Sequence, residues 1–248
     1  MLSPEESAVV ENHLAATVAA GRQRLTTNCY GWEHLFLDDV TVDFIRAVKA
    51  LPGQPKIADL GVAFGYSTEQ LLTQTSALVT ANDLSADHLS ALVERLPEAL
   101  RERLQTLPGN ALELDFPENS LDGILALRWM QCLRPAEIQT AFGKFSKWLK
   151  PGGLLCLTAP SPFMLAAQPK FLAIYEERVR NGEAWPGRMD ADTLCWIRSA
   201  VAIDHGYLLD EMVLRRECLA AGLEVIRCNY FAHTLSEREN IGLMAVKK

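Results

Sequence analysis

Hydrophobic residues follow two alternating patterns along most of this chain: short, largely apolar runs, and longer stretches in which apolar residues recur every three or four positions. The runs at residues 57–60 and 77–83 are each followed by helical spacing, at residues 66–75 and 86–96. A continuous apolar run is typical of a buried strand, and helical spacing is typical of a helix that packs one face on a sheet. The alternation predicts an α/β fold with a mainly parallel sheet.

The rest of the chain continues this pattern and adds a segment before the core. Further helices are predicted over residues 3–21, 40–50, 135–149 and 208–221, and further strands near 103–107, within 119–127 and 148–157, and over 223–228 and 241–246. Residues 22–39 are interpreted as a loop. We expect residues 1–248 to form a single domain in which residues 1–50 are an N-terminal helical cap.

Residues 160–206 are predicted to be a helical insertion after the fifth strand, because prolines punctuate a stretch of helical spacing that is rich in aromatic residues. Insertions at the carboxyl end of a parallel sheet usually lie above the ligand crevice, which favours a substrate-binding lid. A satellite core that packs its own aromatic side chains is the alternative, and the sequence does not separate the two.

A glycine-containing turn joins the first core strand to its helix, with Asp59, Gly61, Ala63 and Gly65 at alternate positions. Glycines in such a turn let the backbone approach a ligand closely, and the following helix begins with free N–H groups. The spacing differs from the G-x-G-x-x-G of dinucleotide-binding folds. Tight packing of strand against helix is the simpler alternative for this turn taken alone.

Four more segments follow in order. Asp83 ends the second strand, residues 107–117 read LPGNALELDFP, residues 119–124 read NSLDGI, and residues 148–154 read WLKPGGL. Together with the glycine turn they resemble the motifs D/E-x-G-x-G-x-G, G-D-A-x-x-L-P-F, N-S-F-D-x-V and L-K-P-G-G-x-L of class I S-adenosylmethionine-dependent methyltransferases. The resemblance covers residues 57–158. It implies a Rossmann-like, doubly wound, mostly parallel sheet of seven strands, with an antiparallel last strand between the fifth and sixth.

The resemblance also implies S-adenosylmethionine as cofactor and assigns residues to its binding. Asp83 would accept hydrogen bonds from the ribose hydroxyls, and Asn110 would contact the adenine through its carbonyl oxygen. Two positions depart from the family pattern: Ala63 replaces a glycine and Asn110 replaces an aspartate. The full set of predicted cofactor contacts is Asp59, Gly61, Ala63, Gly65, Asp83, Leu84, Asn110, Ala111 and Arg128.

The sequence gives weaker signals for the residues that would bind the methyl acceptor. Arg128 could bind a carboxylate of cofactor or acceptor, or form a surface salt bridge. An amine, alcohol or phenol acceptor would need a general base, for which His34, His205 and Tyr207 are candidates, whereas His13 and His88 lie on predicted surface helices and are expected to be solvated. The predicted substrate pocket comprises Tyr30, Trp32, Trp129, Phe163, Tyr175 and Trp196.

The amino-acid composition limits the classes of substrate and partner that we expect. The net charge is −7 and basic residues are interleaved with acidic ones, so a nucleic-acid substrate is not expected. The six scattered cysteines predict reduced thiols, no metal site is predicted, and no apolar run reaches membrane-spanning length. We therefore expect a cytoplasmic enzyme acting on a small molecule. The sequence makes no prediction of oligomeric state. A nicotinamide-dependent oxidoreductase and an inactive cofactor-binding module of the same fold are the alternatives.

Overall fold

The computed structural model describes residues 22–28, 31–167, 169–189, 205–232 and 237–248. The helix predicted over residues 3–21 lies outside the described residues. Within them are nine strands and seven α-helices, and the seven strands after residue 39 and the helices between them follow the predicted order, with a short additional helix at Glu98–Arg101. The predicted boundaries of these helices and strands mostly agree with the observed ones to within three residues. The reason is that apolar patterns, and the prolines and glycines that end them, are local signals.

A seven-stranded sheet forms the centre of the molecule, in the order β5-β4-β3-β6-β7-β9-β8. Its strands are β3 (Lys56–Leu60), β4 (Leu78–Asp83), β5 (Leu104–Pro108), β6 (Leu121–Leu127), β7 (Leu149–Pro160), β8 (Leu223–Phe231) and β9 (Asn240–Lys247). The first five are parallel to one another, whereas β9 pairs antiparallel with both β7 and β8. This is the predicted topology, with the last strand inserted between the fifth and the sixth.

Helices cover both faces of the sheet. They are α1 (Asp39–Ala50), α2 (Tyr66–Gln74), α3 (Ala86–Arg95), α4 (Glu98–Arg101), α5 (Pro135–Trp148), α6 (Pro169–Arg180) and α7 (Glu211–Ala220). One buried cluster joins the sheet to Phe142 of α5 and Val213 of α7. A second cluster joins the other face to Phe44, Leu71 and Leu92 of α1, α2 and α3. Alternate strand residues supply each cluster, because successive side chains of a strand point to opposite faces.

The segment interpreted from the sequence as a loop, residues 22–39, contains a hairpin. Strand β1 (Gln23–Leu25) pairs antiparallel with β2 (Trp32–His34), so that Gln23 lies opposite His34. Each strand has only three residues, which is too short for a polar–apolar alternation to identify. The hairpin carries Trp32 and His34 and therefore belongs to the description of the site.

Candidate functional site

A cavity of about 360 Å³ opens where β3, β4 and β6 end. The carboxyl ends of parallel strands meet at this edge, where open α/β sheets bind their ligands. Gly61, Asp83 and Asn110 line the cavity at the ends of the strands, and Trp32 and His34 of the hairpin also line it. The cavity therefore joins the predicted cofactor residues to the hairpin.

Two glycines of the turn allow two different close contacts. Gly61 has φ +70°, and a Cβ at this position would lie 2.8 Å from the Trp129 ring. Gly65 has φ +79°, and its Cβ would lie 2.6 Å from the Leu92 side chain of α3. Both glycines are thus required by positive φ and by packing. Gly61 and Trp129 line the cavity together, whereas Gly65 brings α2 and α3 close to each other.

Ala63 adopts a left-handed backbone conformation with φ +50°. This conformation costs an L-residue roughly 1–2 kcal/mol, which accounts for the glycine usual at this position. The Ala63 N–H donates a hydrogen bond of 2.8 Å to Asp83 Oδ2. The strained residue thereby fixes the turn to the end of β4.

Asp59 lies beneath the turn, 1% exposed, and accepts hydrogen bonds from the hydroxyls of Thr68 (2.7 Å) and Ser67 (3.2 Å). Burial raises the pKa of Asp59 from 3.8 to about 7, and the nearby carboxylates of Glu33 and Asp83 add to this effect against the two hydroxyl bonds. The group therefore changes its charge near neutral pH.

The Asp83 carboxylate lies in the cavity wall and is held by three donors. Besides Ala63, the Ser85 N–H donates to Oδ1 at 2.9 Å, and His88 Nδ1 lies 3.0 Å from the same oxygen. A carboxylate offers about four lone-pair positions, so at least one remains for a ligand hydroxyl. Its neighbour Leu84 also lines the cavity and is 61% exposed, which leaves an apolar surface next to the carboxylate.

Asn110 is the first residue after the β5 turn and caps a short 3₁₀ segment, Ala111–Glu113. Its side-chain oxygen accepts a 3.0 Å hydrogen bond from the Leu112 N–H. Asn110 and Ala111 both line the cavity. The carbonyl oxygen keeps a second lone pair for a ligand, although the local cap uses the first.

Arg128 has φ +59° and extends into the wall of the cavity, where its guanidinium donates to Asn240. Burial lowers its pKa to about 10, and the carboxylates of Glu239 and Asp38 oppose that shift. The alternative of a surface salt bridge does not fit this enclosed position. The cation is compensated by neighbouring acids within the protein.

Residues 57–153 match the family model described as a methyltransferase domain. They contain the glycine turn, Asp83 and Asn110, which the structure brings to one cavity. Residues 57–153 are thus a methyltransferase domain, with motifs that resemble those of class I S-adenosylmethionine-dependent methyltransferases. The cofactor of that family is S-adenosylmethionine.

Among curated proteins, this methyltransferase is 32% identical over 107 residues to phosphoethanolamine N-methyltransferase 2 of Caenorhabditis elegans. The match covers 43% of this chain and 24% of the nematode protein, so the chain spans about a quarter of the length of that relative.

Solved structures show the same fold at low identity. An S-adenosylmethionine-dependent methyltransferase from Mesorhizobium loti has a TM-score of 0.61 and 15% identity, with 84% of this chain and 98% of that chain covered. The 1,6-didemethyltoxoflavin-N1-methyltransferase of Burkholderia thailandensis, solved with its acceptor and S-adenosylhomocysteine, has a TM-score of 0.58 and 17% identity, with coverage of 100% and 92%. These likenesses show the fold.

The predicted acceptor-side residues of the methyltransferase divide into two groups. Trp32, Trp129, His34 and His205 line the cavity. Phe163 and Tyr175 do not: their rings contact each other edge-on at 5.9 Å, and the Tyr175 hydroxyl donates to Asp210 at 2.8 Å. Two further predicted pocket residues, Tyr30 and Trp196, lie outside the described residues.

Tyr207 also lies away from the cavity wall. Its ring contacts Trp185 at 6.0 Å, and its N–H donates to the Gln131 carbonyl. The described part of residues 160–206 therefore forms local aromatic clusters, and His205 is its only described member that lines this cavity. The satellite-core alternative describes these aromatic residues better than a shared substrate pocket.

The sequence interpretation was wrong about His88, and it overlooked Glu33. His88 is 1% exposed and lies between Asp83 and Thr27. Glu33 of β2 accepts a 2.8 Å hydrogen bond from the Tyr66 N–H at the start of α2. One signal in the sequence indicated that His88 is buried. The apolar residue Leu92 lies four positions later on the same helix, so the two side chains share a face.

The described cysteines have raised pKa values, and the described residues include no cluster of metal ligands. Cys132 lines the cavity, but burial raises its pKa to about 11. Cys156, Cys218 and Cys228 are free thiols whose pKa values burial also raises. No group of His, Cys, Asp or Glu in the described segments could hold a metal ion. No helix in these segments is both long and apolar enough to cross a bilayer.

Proposed function

We propose that this chain transfers a methyl group from S-adenosylmethionine to a small-molecule acceptor by in-line displacement. The observation that carries the proposal is the single cavity that joins Gly61, Asp83 and Asn110 to the aromatic hairpin. The wall of this cavity combines donors and acceptors for a nucleoside with aromatic surface for an acceptor.

The residues present fit the cofactor. Asp83 has at least one lone pair left for a ribose hydroxyl, and exposed Leu84 beside it offers an apolar face for adenine. Asn110 and Ala111 lie next along the same wall. The Asp83 carboxylate in this wall favours a ligand that carries a positive charge.

Bound S-adenosylmethionine would supply an electrophilic methyl group on a sulfonium. The protein then has to align the acceptor with that group and exclude water. Trp32, Trp129 and Leu133 provide apolar cover around the cavity. An acceptor that must lose a proton would find His34 or His205 in the same wall, and we propose these two as the candidate bases.

The acceptor is proposed to be small. A volume of about 360 Å³ is at the lower end of the range for small-molecule sites, roughly 300–1,000 Å³. The protein has a net charge of −7, which disfavours a nucleic-acid strand. The protein is proposed to act in the cytoplasm.

Binding and turnover test the proposal separately. Titration calorimetry should show binding of S-adenosylmethionine and S-adenosylhomocysteine and no binding of NAD; the reverse preference would favour the oxidoreductase. A screen with methyl-labelled cofactor against amines, phenols and carboxylic acids should show transfer to at least one class. Cofactor binding without transfer to any acceptor would favour the inactive module.

Asp83→Ala is the sharpest single variant. It should weaken cofactor binding about ten-fold or more, because charge-assisted hydrogen bonds are worth roughly 1.5–3 kcal/mol each. The matched control is Asp87→Ala, which removes an exposed carboxylate from the first turn of α3. Calorimetry on the two folded variants decides the assignment, and unchanged affinity in Asp83→Ala would remove it.

A further inference from the structure

A continuous chain of hydrogen bonds runs from the hairpin through His88 to Asp83. His88 Nε2 lies 2.7 Å from Thr27 Oγ1 and 3.2 Å from the Thr27 backbone nitrogen. On the other edge of the ring, Nδ1 lies 3.0 Å from Asp83 Oδ1. The turn that connects β1 to β2 is thereby linked to the carboxylate in the cavity wall.

The Thr27 backbone N–H determines which atoms donate in this series of hydrogen bonds. The Thr27 N–H can only donate, so His88 Nε2 is the acceptor and a neutral ring carries its proton on Nδ1. Nδ1–H then donates to Asp83, which only accepts when it is ionised. The imidazole thus orients the carboxylate on one side and holds the hairpin on the other.

Contacts around the ring strengthen the link. The Phe64 ring lies against His88 with centroids 4.5 Å apart, and the Arg24 guanidinium of β1 lies 3.8 Å from the Phe64 centroid. Arg24 also pairs with Glu33 of β2. Hairpin residues therefore lie over the glycine turn as well as against His88.

We infer that His88 is a positioning residue that couples closure of the β1–β2 hairpin to ribose binding at Asp83. The inference rests on the proposed function, because it takes Asp83 as the ribose acceptor. Coupling of this kind is reciprocal: a ribose that orders the Asp83 carboxylate also favours the closed hairpin, and the closed hairpin raises affinity by the same factor.

A second attachment of the hairpin makes a competing explanation testable. Glu33 accepts from the Tyr66 N–H at the start of α2 and does not involve Asp83. Closure signalled through Glu33 would not require a ribose at Asp83, because this bond involves only β2 and the start of α2. Closure signalled through His88 depends on the ribose of the cofactor, which 5′-methylthioadenosine keeps while lacking the amino-acid tail.

Two substitutions separate the two edges of the imidazole. His88→Asn keeps an N–H donor near the Nδ1 position and loses the bond to Thr27. His88→Gln keeps an acceptor oxygen near the Nε2 position and loses the bond to Asp83. Asp87→Asn, an exposed change on the same helix, is the control. Thermal unfolding confirms that each variant is folded.

The readouts are S-adenosylhomocysteine affinity by calorimetry and hydrogen exchange of the Thr27 amide with and without ligand. In the wild type, saturating S-adenosylhomocysteine and 5′-methylthioadenosine should both slow exchange at Thr27. Both His88 variants should lose this ligand-induced change. His88→Gln should also bind about ten-fold more weakly and His88→Asn about three-fold more weakly, because only the former removes one of the three donors that orient the Asp83 carboxylate.

The possible outcomes distinguish failure of this inference from failure of the proposed function. If the wild type does not bind S-adenosylhomocysteine, the proposed function fails and the inference fails with it. If the wild type binds but either His88 variant keeps the ligand-induced protection of Thr27, only the inference is overturned. Protection by S-adenosylhomocysteine and not by 5′-methylthioadenosine also overturns it, because the ribose at Asp83 would then not be sufficient for closure.

Discussion

The hairpin of residues 22–34 and the insertion that begins at residue 160 are both rich in aromatic and charged residues, yet the structure uses them differently. Trp32 and His34 of the hairpin line the cavity, and Glu33 bonds to the start of α2. In the insertion, Phe163 and Tyr175 contact each other, and the Phe163 ring also meets Tyr230 of β8 at 5.2 Å. Aromatic content alone therefore did not identify which residues line the cavity.

The difference follows from the position of each segment along the sheet. The hairpin lies over the ends of β3 and β4, where the glycine turn leaves backbone groups exposed to a ligand. The described insertion packs toward β8 and α7, through bonds such as Tyr175 to Asp210. Substitutions in the two regions should consequently separate ligand effects from stability effects.

The largest effect is expected from Gly61→Val. A side chain here would start 2.8 Å from Trp129 in the cavity wall, so cofactor binding should be lost. Gly182→Val in the insertion is the matched control, because Gly182 has the same φ of +70° with nothing within 4 Å of its added Cβ. Calorimetry should show binding in the control alone; normal binding by Gly61→Val would place the ligand elsewhere.

The next effect concerns stability against pH. The folded pKa of Asp59 is about 7 against 3.8 in the unfolded chain, so the folded state holds the extra proton between these values. The contribution of protonated Asp59 to the free energy of unfolding is fully present below about pH 4. About 4 kcal/mol of this contribution is lost as the pH rises through 7.

Asp59→Asn removes the titrating group. The free energy of unfolding of this variant, measured by urea titration at pH 5 and pH 8, should fall less over that interval than that of the wild type. Asp87→Asn should keep the wild-type difference, since Asp87 is exposed. An identical pH dependence in Asp59→Asn and wild type would show that Asp59 is ionised throughout.

A direct comparison of the two aromatic regions comes from Trp32→Ala and Phe163→Ala. Trp32→Ala should lower turnover about ten-fold with a smaller change in cofactor affinity, because the hairpin encloses the acceptor side. Phe163→Ala should lower the free energy of unfolding by about 2 kcal/mol and leave turnover unchanged. Steady-state kinetics and urea unfolding on both variants check this; equal losses of turnover would favour a substrate-binding lid formed by residues 160–206.

The smallest effect is expected from Ala63→Gly. Relief of the left-handed conformation stabilises by roughly 1–2 kcal/mol, and the more flexible unfolded chain offsets about 0.4–1 kcal/mol. The net gain should be below about 1.5 kcal/mol, measurable by thermal unfolding. A loss of stability would mean that the Ala63 methyl group packs usefully.

The sequence predicted the parts of the site that depend on local order along the chain. The glycine turn, Asp83 at the end of β4 and Asn110 after β5 each follow a strand, and parallel strands bring their carboxyl ends to one edge. The cap of α3 is local too, because the Ser85 side chain accepts from the His88 N–H only three residues later.

Contacts between segments far apart in the chain were decided only by the tertiary structure. Thr27 and His88 are 61 residues apart, and Glu33 and Tyr66 are 33 apart. Periodicity indicates which face of a helix is buried but not which polar group meets it there. His88 was therefore expected at the surface, although it links the hairpin to the cavity wall. The sequence by itself determined the sheet, the turn and the acid at its edge; tertiary packing decided what covers them.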